Sequence, residues 1–366
     1  MKILFFSRGL GIGHAARDLA LASALEEESI ASTFFSYESG TKYFRNMQVP
    51  VVDTGFSNTS HAVMDTHALI HGFFEDLLGY SSILAGKEGL VIGDEELFLP
   101  FSCKILKRPS MFITDWFPTM IQKNKSDALI PLANAAFDQA DYILVPDFKD
   151  HIVIPPQLEE KTFFFGPFFR GDIGQLRESK HSLRKKYGFD DTPVIVVTVG
   201  GSQLNFPVLE KCIQSHEILC ETEDYKMILI TGPDISPEEL PDTGAEIRQF
   251  VPDFMELAAS CDLVITGAGH STLMEVSALG VPSIVIPIAG WVSQEREAAR
   301  VERAHAGIVL PRQETTAQGL ALTIRDLLND SEKLKELSRN GIKRIPCIDG
   351  ATRAAQFILE HSEGVE

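Results

Sequence analysis

A histidine stands in a glycine-rich loop directly after the first apolar run of the chain. The loop and the helical pattern that follows it read GLGIGHAAR over residues 9–17. Gly11 and Gly13 permit a tight turn and a close backbone approach, and the N-terminus of the next helix carries partial positive charge. Here a neutral His14 imidazole can act as a general base, and Arg17 can orient a substrate or pair with a carboxylate. The alternative for His14 is a helix cap without chemistry.

Two carboxylates follow apolar runs in the same half of the chain. Asp94 ends the run VIGD, and Asp115 ends the run FITD. Either carboxylate can orient a histidine or deprotonate an acceptor hydroxyl, and either can instead cap a helix or close a turn. Asp94 ends a well-formed strand pattern and is followed by Glu95, so we favour Asp94 as the partner of His14.

A loop in the second half of the chain has the composition of an anion site. It reads VGGSQLN over residues 199–205 and again follows an apolar run. Gly201, Ser202 and Gln203 open onto a helical pattern, and successive backbone N–H groups in such a turn suit a phosphate. Alone this signal is weak, because any turn from a strand to a helix favours Gly and Ser.

A second loop in that half is more specific. It reads TGAGHSTLMEVSALGVPSIVIP over residues 266–287. Ser271 and Thr272 can cap the helix and donate to a diphosphate, and Glu275, one turn on, can accept two ribose hydroxyls. Taken alone, the simpler interpretation is that Ser271 is an N-cap and Glu275 an ordinary first-turn acid. Two phosphate-like loops in one half favour a ligand.

Short β-rich runs that alternate with amphipathic stretches must position these loops. The runs lie at 2–7, 32–36, 49–53, 90–93, 110–114 and 142–145, and then at 193–199, 226–230, 247–251, 262–266, 282–287 and 306–310. Nearly continuous apolar strands separated by helices predict parallel sheets that are buried on both faces. The Gly-, Pro- and Phe-rich segment 162–175 between the two series predicts a linker and not a core strand.

The fold class that follows is α/β, with two Rossmann-like doubly wound domains facing across a cleft. We predict an N-terminal acceptor-binding domain at 1–165, a linker at 166–190 and a C-terminal donor-binding domain at 191–345. A C-terminal helix within 346–366 is placed to pack back on the first domain. Ligands of open parallel sheets bind beyond the carboxyl ends of the strands, which is where all these loops lie.

Three stretches of the sequence resemble a known family. GGSQ at 200–203, RQFVPDFMELAASCDLVITGAGHSTLMEVSALGVPSIVIP at 248–287, and Gln294 with Ala298 are similar to the nucleotide-sugar half of GT-B glycosyltransferases of family 28, which includes the peptidoglycan UDP-N-acetylglucosamine transferases. The opening G-x-G-H-x-x-R resembles a branch of predicted glycosyltransferases of that superfamily. The resemblance covers residues 191–310 well and residues 54–130 hardly at all.

The resemblance implies a role for each matching residue. The N-terminal half supplies the acceptor site and His14 as the base. In the C-terminal half the implied contacts are Gly201, Ser202 and Gln203 for the diphosphate or nucleotide, Phe250 and Val251 for the uracil, Gly269, His270, Ser271 and Thr272 for the pyrophosphate, Glu275 for the ribose and Gln294 for the sugar. Family members carry Gln-x-x-Asn-Ala after an acidic residue. Here Glu297 replaces the amide and Ser293 the acid, which leaves the donor sugar open.

The predicted function is transfer of a sugar, with N-acetylglucosamine favoured, from a UDP-sugar to a hydroxyl acceptor that is lipid-linked or a glycan. The resemblance implies inversion at the anomeric centre and no metal or other cofactor. Two alternatives remain open: an isomerase like UDP-N-acetylglucosamine 2-epimerase, and a non-catalytic UDP-sugar-binding subunit.

Charge, cysteine use and hydropathy exclude other classes. Lys and Arg number 33 against 51 Asp and Glu, and the net charge of −18 disfavours nucleic acid and gives no attraction to an anionic membrane surface. The five cysteines are scattered, with no pattern of a disulfide framework or a zinc site. No apolar run approaches the ~18 residues of a membrane span, and the opening is not a signal peptide. We expect a cytoplasmic protein.

Three histidines, His61, His67 and His71, fall in the segment 57–84. His67 and His71 have the i, i+4 spacing of a metal pair on a helix, but the sequence places no third ligand beside them. A helical lid over the acceptor cleft is the favoured interpretation. Its aromatic residues would meet an apolar acceptor or pack on the core, and a peripheral membrane contact is compatible with either.

Overall fold

A computed structural model of the protein describes residues 1–56, 66–120, 129–200, 203–241 and 244–362. The chain divides into two compact units, unit 1 (Met1–Arg170 with Asp349–Glu366) and unit 2 (Gly171–Ile348). Among the described residues, no helix has the length and apolar character that a membrane crossing requires.

Each unit is built on one sheet. In unit 1 the strands are β1 (Lys2–Ser7), β2 (Ala31–Ser36), β3 (Val51–Asp53), β4 (Leu90–Asp94), β5 (Ser110–Ile113), β6 (Tyr142–Val145) and β7 (Thr162–Phe164). In unit 2 they are β8 (Val194–Thr198), β9 (Lys226–Ile230), β10 (Glu246–Arg248), β11 (Leu263–Thr266), β12 (Ser283–Val285) and β13 (Ile308–Val309). The predicted runs correspond to these strands within a few residues at either end.

Helices connect nearly all of these strands, as parallel pairing requires. They are α1 (Gly13–Glu27), α2 (Glu38–Asn46), α3 (Thr66–Leu84), α4 (Leu99–Ile105), α5 (Leu129–Gln139), α6 (Ile173–Glu178), α7 (Lys180–Lys186), α8 (Phe206–Leu219), α9 (Phe254–Ser260), α10 (His270–Leu279), α11 (Val292–Arg303), α12 (Ala317–Leu328), α13 (Ser331–Arg344) and α14 (Gly350–Glu360).

Both sheets are parallel throughout and share one topology. The strand orders are β3-β2-β1-β4-β5-β6-β7 and β10-β9-β8-β11-β12-β13. In each sheet the chain runs outward on one side and then returns to the centre, so the direction of winding reverses between β1 and β4 and between β8 and β11. A crevice opens at such a switch point, and ligands of doubly wound sheets bind there. The predicted pair of parallel α/β domains is confirmed.

The strands are buried on both faces, which explains their apolar composition. Leu4 and Phe6 of β1 pack with Phe35 of β2 and Tyr80 of α3 on one face of the first sheet. In unit 2, alternate residues of β8, β9 and β11 pack against α8 and α12. These rigid cores fix the carboxyl ends of the central strands, where the candidate site lies.

The predicted linker is wrong in one respect, because part of the segment 162–175 is a core strand. Thr162–Phe164 forms β7, which pairs with β6 at the edge of the first sheet. Its aromatic residues belong to the packing of that sheet and not to a flexible connection. Residues 171–190 lie in unit 2, where Lys180 and Arg184 of α7 form ion pairs with Asp262.

The last helix belongs to unit 1. Helix α14 packs against α1, and the Phe357 ring lies 4.4 Å from that of Phe163 in β7 and 5.5 Å from that of Tyr142 in β6. Arg353 Nη1 donates to the Phe165 carbonyl at 3.1 Å. Unit 1 is therefore made of two stretches of sequence separated by the whole of unit 2.

Candidate active site

His14 lies in the first turn of α1, at the carboxyl edge of the first sheet. Gly11 has φ of +71°, a conformation that L side chains rarely adopt, and it turns the chain from β1 toward the helix. Helix α1 then begins at Gly13, and its N-cap residue Ile12 provides no side-chain hydrogen bond. The loop thus delivers the His14 ring to the switch point, and that ring keeps about a sixth of its surface exposed (17%).

Asp94 meets His14 at this point. β1 and β4 are neighbours, and Ser7 at the end of β1 is the register partner of Asp94 at the end of β4. His14 Nδ1 lies 2.9 Å from Asp94 Oδ1. In this contact the Asp94 carboxylate can only accept a hydrogen bond, whereas Arg17 Nη2, 3.1 Å from the same Nδ1, can only donate one. When the shorter contact with Asp94 holds the ring hydrogen on Nδ1, the Nε2 lone pair can take a proton.

Arg17 is buried in the site and holds Asp94. Its Nε donates to Asp94 Oδ2 at 2.5 Å and its Nη2 donates to Asp94 Oδ1, the paired geometry of a strong charge-assisted contact. Its Nη1 donates to Asp115 Oδ2 at 2.9 Å. With 4% of the residue exposed, Arg17 links α1 to the strand ends of β4 and β5. Of its two predicted roles, the structure places it in the carboxylate pair.

Asp94 is fully buried, yet it stays ionised. Burial acts to raise the pKa of its carboxyl, but the Arg17 guanidinium and the His14 ring, through charge and hydrogen bonds, lower it well below the usual range. A permanently charged carboxylate therefore contacts the Nδ1 side of the imidazole. Such a charge stabilises the imidazolium that forms when Nε2 takes a proton.

A second acid adjoins the pair. Glu95 has φ of +54°, an uncommon conformation for a residue with a side chain, and such strain is found most often at functional sites. Its Oε2 accepts from Arg8 Nη1 at 3.1 Å and lies 3.9 Å from His14 Nε2. The Glu95 charge is thus shared between a cation and the ring.

The atoms of His14, Asp94 and Glu95 come within 4.8 Å of one another, close enough in distance alone to hold an ion. Arg17 argues against that use, because its guanidinium already donates to both Asp94 oxygens. A divalent cation there would have to displace a buried positive charge. We therefore interpret the group as a proton-transfer site.

At the switch point of unit 2, the loop after β11 lies against the loop after β8. Thr266 Oγ1 donates to the Thr198 carbonyl at 2.8 Å. A Cβ atom on Gly267 would lie 2.8 Å from the Val199 carbonyl oxygen, so only glycine allows this approach. Gly200 continues the β8 loop with φ of +89°.

The N-terminus of α10 is open. The N-cap residue is Gly269, and a Cβ atom built there has no neighbour within 4 Å. The first N–H groups of a helix lack acceptors within it, and those of Ser271 and Thr272 in this first turn can donate to an anion. The prediction that Ser271 or Thr272 caps α10 is wrong, because the helix begins at His270 and both residues lie inside its first turn.

Glu275 lies in the second turn of α10 and is buried. Phe250 and Val251 follow the end of β10 at Arg248 and are not its last residues, because the strand is shorter than predicted. Phe250 is half-buried and Val251 is buried.

The Gln294 side chain supports a loop through a hydrogen bond to its backbone. Its Oε1 accepts from the Ile288 N–H at 2.9 Å, and Glu295 Oε1 accepts from the Gly290 N–H at 2.6 Å. These bonds fix the turn between β12 and α11. The Gln294 amide N–H groups are the part of that side chain left for a ligand.

Glu297, which replaces the amide of the family pattern, is 1% exposed and paired with arginines. One oxygen accepts from Arg300, and the other lies 3.3 Å from Arg344 Nη2. Arg344 Nη1 also lies 3.1 Å from Ser277 Oγ on α10. Glu297 therefore ties together α10, α11 and α13.

Some predicted residues lie outside the described parts of the chain. Gly201, Ser202 and His61 fall outside the described residues, and the side chains of Gln203, His67 and His71 are likewise not described. The sequence interpretation missed Arg8, Asp18 and Arg344. Asp18 and Arg344 stand in helical patterns, where a buried charge looks like an ordinary polar position, and Arg8 stands in the loop after β1. No spacing rule marks any of the three.

Known proteins are similar to this chain over part or all of its length. The model of the glycosyltransferase family 28 C-terminal domain matches residues 194–349. A protein named uncharacterized glycosyltransferase from Methanosarcina mazei is 26% identical over 100% of this chain and 99% of its own length. A UDP-N-acetylglucosamine–N-acetylmuramyl-(pentapeptide) pyrophosphoryl-undecaprenol N-acetylglucosamine transferase from Bacillus pumilus is 32% identical over 55% of this chain and 57% of its own.

The fold has solved counterparts. The calicheamicin glycosyltransferase CalG4 superposes with a TM-score of 0.65 and 17% identity, over 99% of this chain and 98% of that one. At such low identity the likeness concerns the fold, which is GT-B. It extends over both units, including the N-terminal part that the family model does not match.

Proposed function

We propose, from the premise that this chain is a glycosyltransferase of the family 28 and GT-B type, that it transfers a sugar from a UDP-sugar to a hydroxyl acceptor with His14 as the base. The observation that carries the proposal is the 2.9 Å contact between His14 Nδ1 and Asp94 Oδ1. With the ring hydrogen on Nδ1 toward Asp94, Nε2 is the proposed proton acceptor, in a ring that is held but still partly exposed.

The reaction balances with these groups. Nε2 of His14 takes the proton of the acceptor hydroxyl, the acceptor oxygen attacks the anomeric carbon, and UDP leaves with the electron pair of the broken bond. Asp94 stabilises the imidazolium, and a positioned base of this kind contributes ~10²–10⁴-fold. A single displacement of this kind inverts the anomeric centre.

The proposed donor site lies in unit 2. The open N-terminus of α10 and the glycine turns after β8 and β11 support binding of a diphosphate, because backbone N–H groups and the helix dipole favour negative charge. The same groups stabilise the leaving UDP, so we propose that transfer needs no metal ion. A rate unchanged by EDTA is expected, and loss of the rate that Mg²⁺ or Mn²⁺ restores would contradict it.

For the sugar and the acceptor, the support comes from the relatives. The Bacillus pumilus protein is named for N-acetylglucosamine transfer to a lipid-linked acceptor, and we propose N-acetylglucosamine as the donor sugar and a lipid-linked or glycan hydroxyl as the acceptor. Comparing turnover of UDP-N-acetylglucosamine and UDP-glucose over a panel of such acceptors tests both choices.

His14→Asn tests the base. Asparagine keeps a hydrogen-bond donor but cannot take the proton, so turnover should fall by about 10²-fold or more while UDP affinity changes little. His181→Asn, at an exposed position of α7, is the matched control and should keep full turnover. Unchanged turnover in His14→Asn would move the base elsewhere, and lost UDP binding would place His14 in the donor site.

The same assay separates the alternative of an epimerase. Wild-type protein incubated with UDP-N-acetylglucosamine alone should return the nucleotide sugar unchanged at C2. Formation of the epimer without any acceptor would overturn the proposed transfer reaction.

A further inference from the structure

A second buried aspartate, Asp18, adjoins the His14–Asp94 pair and has no part in the proposed reaction. It follows Arg17 in α1 and is 0% exposed. Ser7 Oγ donates to Asp18 Oδ2, and Ser7 is the register partner of Asp94. Asp18 is thus hydrogen-bonded to the residue that pairs with Asp94 at the ends of β1 and β4.

Asp18 lacks a cation of its own. Its Oδ1 has no hydrogen-bond partner among the described residues. The Arg17 guanidinium is close enough to act on Asp18, but its hydrogen bonds go to Asp94 and Asp115. A carboxylate that is fully buried without a paired cation is strongly disfavoured, whereas a neutral carboxylic acid is not.

The surroundings favour the neutral form. Burial raises the pKa of Asp18 well above its usual range. The Asp94 carboxylate raises it further, through its charge and because it can accept a hydrogen bond from the protonated acid. Ser7 and Arg17 act in the opposite direction without offsetting this. The charged side chains of α2 and α14, which pack on α1, lie at exposed positions: Glu38, Lys42, Arg45, Arg353 and Glu360.

We propose that Asp18 is a positioning residue that carries a proton: as a neutral acid it accepts a hydrogen bond from Ser7 and donates one to Asp94. Asp94 then receives bonds from Asp18, Arg17 and His14, which fixes the carboxylate in the plane that the imidazole needs. This role rests on the proposed function only in assigning the base to His14.

The first test is the pH dependence of stability in Asp18→Asn. Asparagine reproduces a neutral acid, because its oxygen accepts from Ser7 and its N–H₂ group donates to Asp94. A carboxyl that is protonated in the folded state and ionised in the unfolded state loses stability as pH rises. The folding equilibrium constant of wild type relative to Asp18→Asn should therefore fall by up to about tenfold per pH unit above about pH 4.

Urea unfolding midpoints of both proteins measure this slope between about pH 4.5 and about pH 8. This range lies above the ordinary Asp pKa of about 4. Glu26→Gln is the matched control, because Glu26 lies at an exposed position of the same helix, and it should show no such slope. Infrared difference spectra at neutral pH should contain a protonated-carboxyl stretch in wild type that Asp18→Asn lacks. A flat difference in stability, with no such stretch, overturns the proposal.

The second test separates positioning from mere packing. Asp18→Ala removes the hydrogen bond to Asp94 and should lower kcat about tenfold, the effect of one lost bond to a charged group, with UDP affinity retained. Asp18→Asn should restore most of that loss, whereas equal losses in both variants would overturn the role. The stability slope requires no substrate, so it stands even if His14→Asn shows that the base lies elsewhere. The stability slope also tests the proposal if the Asp18→Ala variant does not fold.

Discussion

The two units share one sheet topology but place charge differently at the switch point. In unit 1 the ends of β1, β4 and β5 gather ionisable side chains, with Arg17 binding Asp94 and Asp115. In unit 2 the ends of β8 and β11 present glycine turns and an open helix N-terminus, and the buried charges of Glu297, Arg300 and Arg344 link helices instead.

This difference follows from the chemistry that we propose for each unit at the carboxyl ends of its strands. Proton transfer needs a group that changes its charge, held by groups that do not, and side chains alone provide both. Binding a diphosphate needs fixed partial charges that cost no desolvation of a counter-charge, and backbone N–H groups provide these. One fold can thus carry the proposed proton-transfer site and the proposed anion site through the choice of residues after five strands.

The largest effect is expected from Asp94→Asn. The change leaves Arg17 buried beside a neutral amide, and breaking a buried pair in this way costs about 3–5 kcal/mol of unfolding free energy. Turnover should fall at least as far as in His14→Asn. Asp53→Asn is the control, because the Arg45–Asp53 pair is largely exposed, and its cost should stay below about 1 kcal/mol.

The pH dependence sharpens the comparison inside unit 1. The pKa of Asp94 is lowered in the folded protein, so its stabilisation is present above the unfolded value of about 4 and is lost as the pH falls below it. The stability difference between wild type and Asp94→Asn should therefore shrink on acidification. Asp18→Asn should show the opposite trend. Trends of the same sign would contradict the assignment of Asp94 as the ionised carboxyl and of Asp18 as the protonated one.

A smaller effect is expected from Glu297→Gln in unit 2. The amide keeps the size of the side chain but weakens its bonds to Arg300 and Arg344, which should cost about 1–3 kcal/mol of stability. Because Glu297 links helices and is not placed in proton transfer, kcat should fall far less than in Asp94→Asn. Glu332→Gln on the surface of α13 is the control. A loss of turnover as large as that of Asp94→Asn would contradict the distinction between the proposed proton-transfer site of unit 1 and the helix contacts of Glu297 in unit 2.

Glu275→Ala tests the donor side of the comparison. Loss of charge-assisted hydrogen bonds to the ribose should weaken UDP binding by about 1–3 kcal/mol. Because Glu275 is buried in the second turn of α10, the variant should also lose the stability that a buried side chain contributes, and this second effect is measured separately. Calorimetric titration with UDP measures the first effect and thermal unfolding the second. Unchanged UDP affinity would refute the ribose contact.

The sequence predicts the fold well, because apolar strands and amphipathic helices alternate with a clear period. It also indicates His14 and Asp94 as partners, since both follow strands. The order of the strands is not readable from the pattern, although that order is what brings β4 beside β1. β7 escaped prediction because its Phe residues stand among Gly and Pro, whose usual meaning is a loop.

Individual side chains in helices were harder to predict. Asp18 and Glu297 look like surface positions, and only tertiary packing buries them. The start of α10 was misplaced because Ser271 is a better cap by residue type than Gly269. Where an anion is to be bound, an open glycine cap has an advantage that residue preferences for isolated helices do not include.

The return of α14 to unit 1 has a consequence for biosynthesis. The ribosome completes residues 1–170 early, but the helix that covers α1 and contacts β7 through Phe357 is made only after all of unit 2. At roughly 5–20 residues per second, the intervening 171–348 segment takes about 9–36 s to synthesise. During that interval the apolar surface of α1 stays exposed on the nascent chain, so unit 2, although second in sequence, is the first part of the protein that can finish folding.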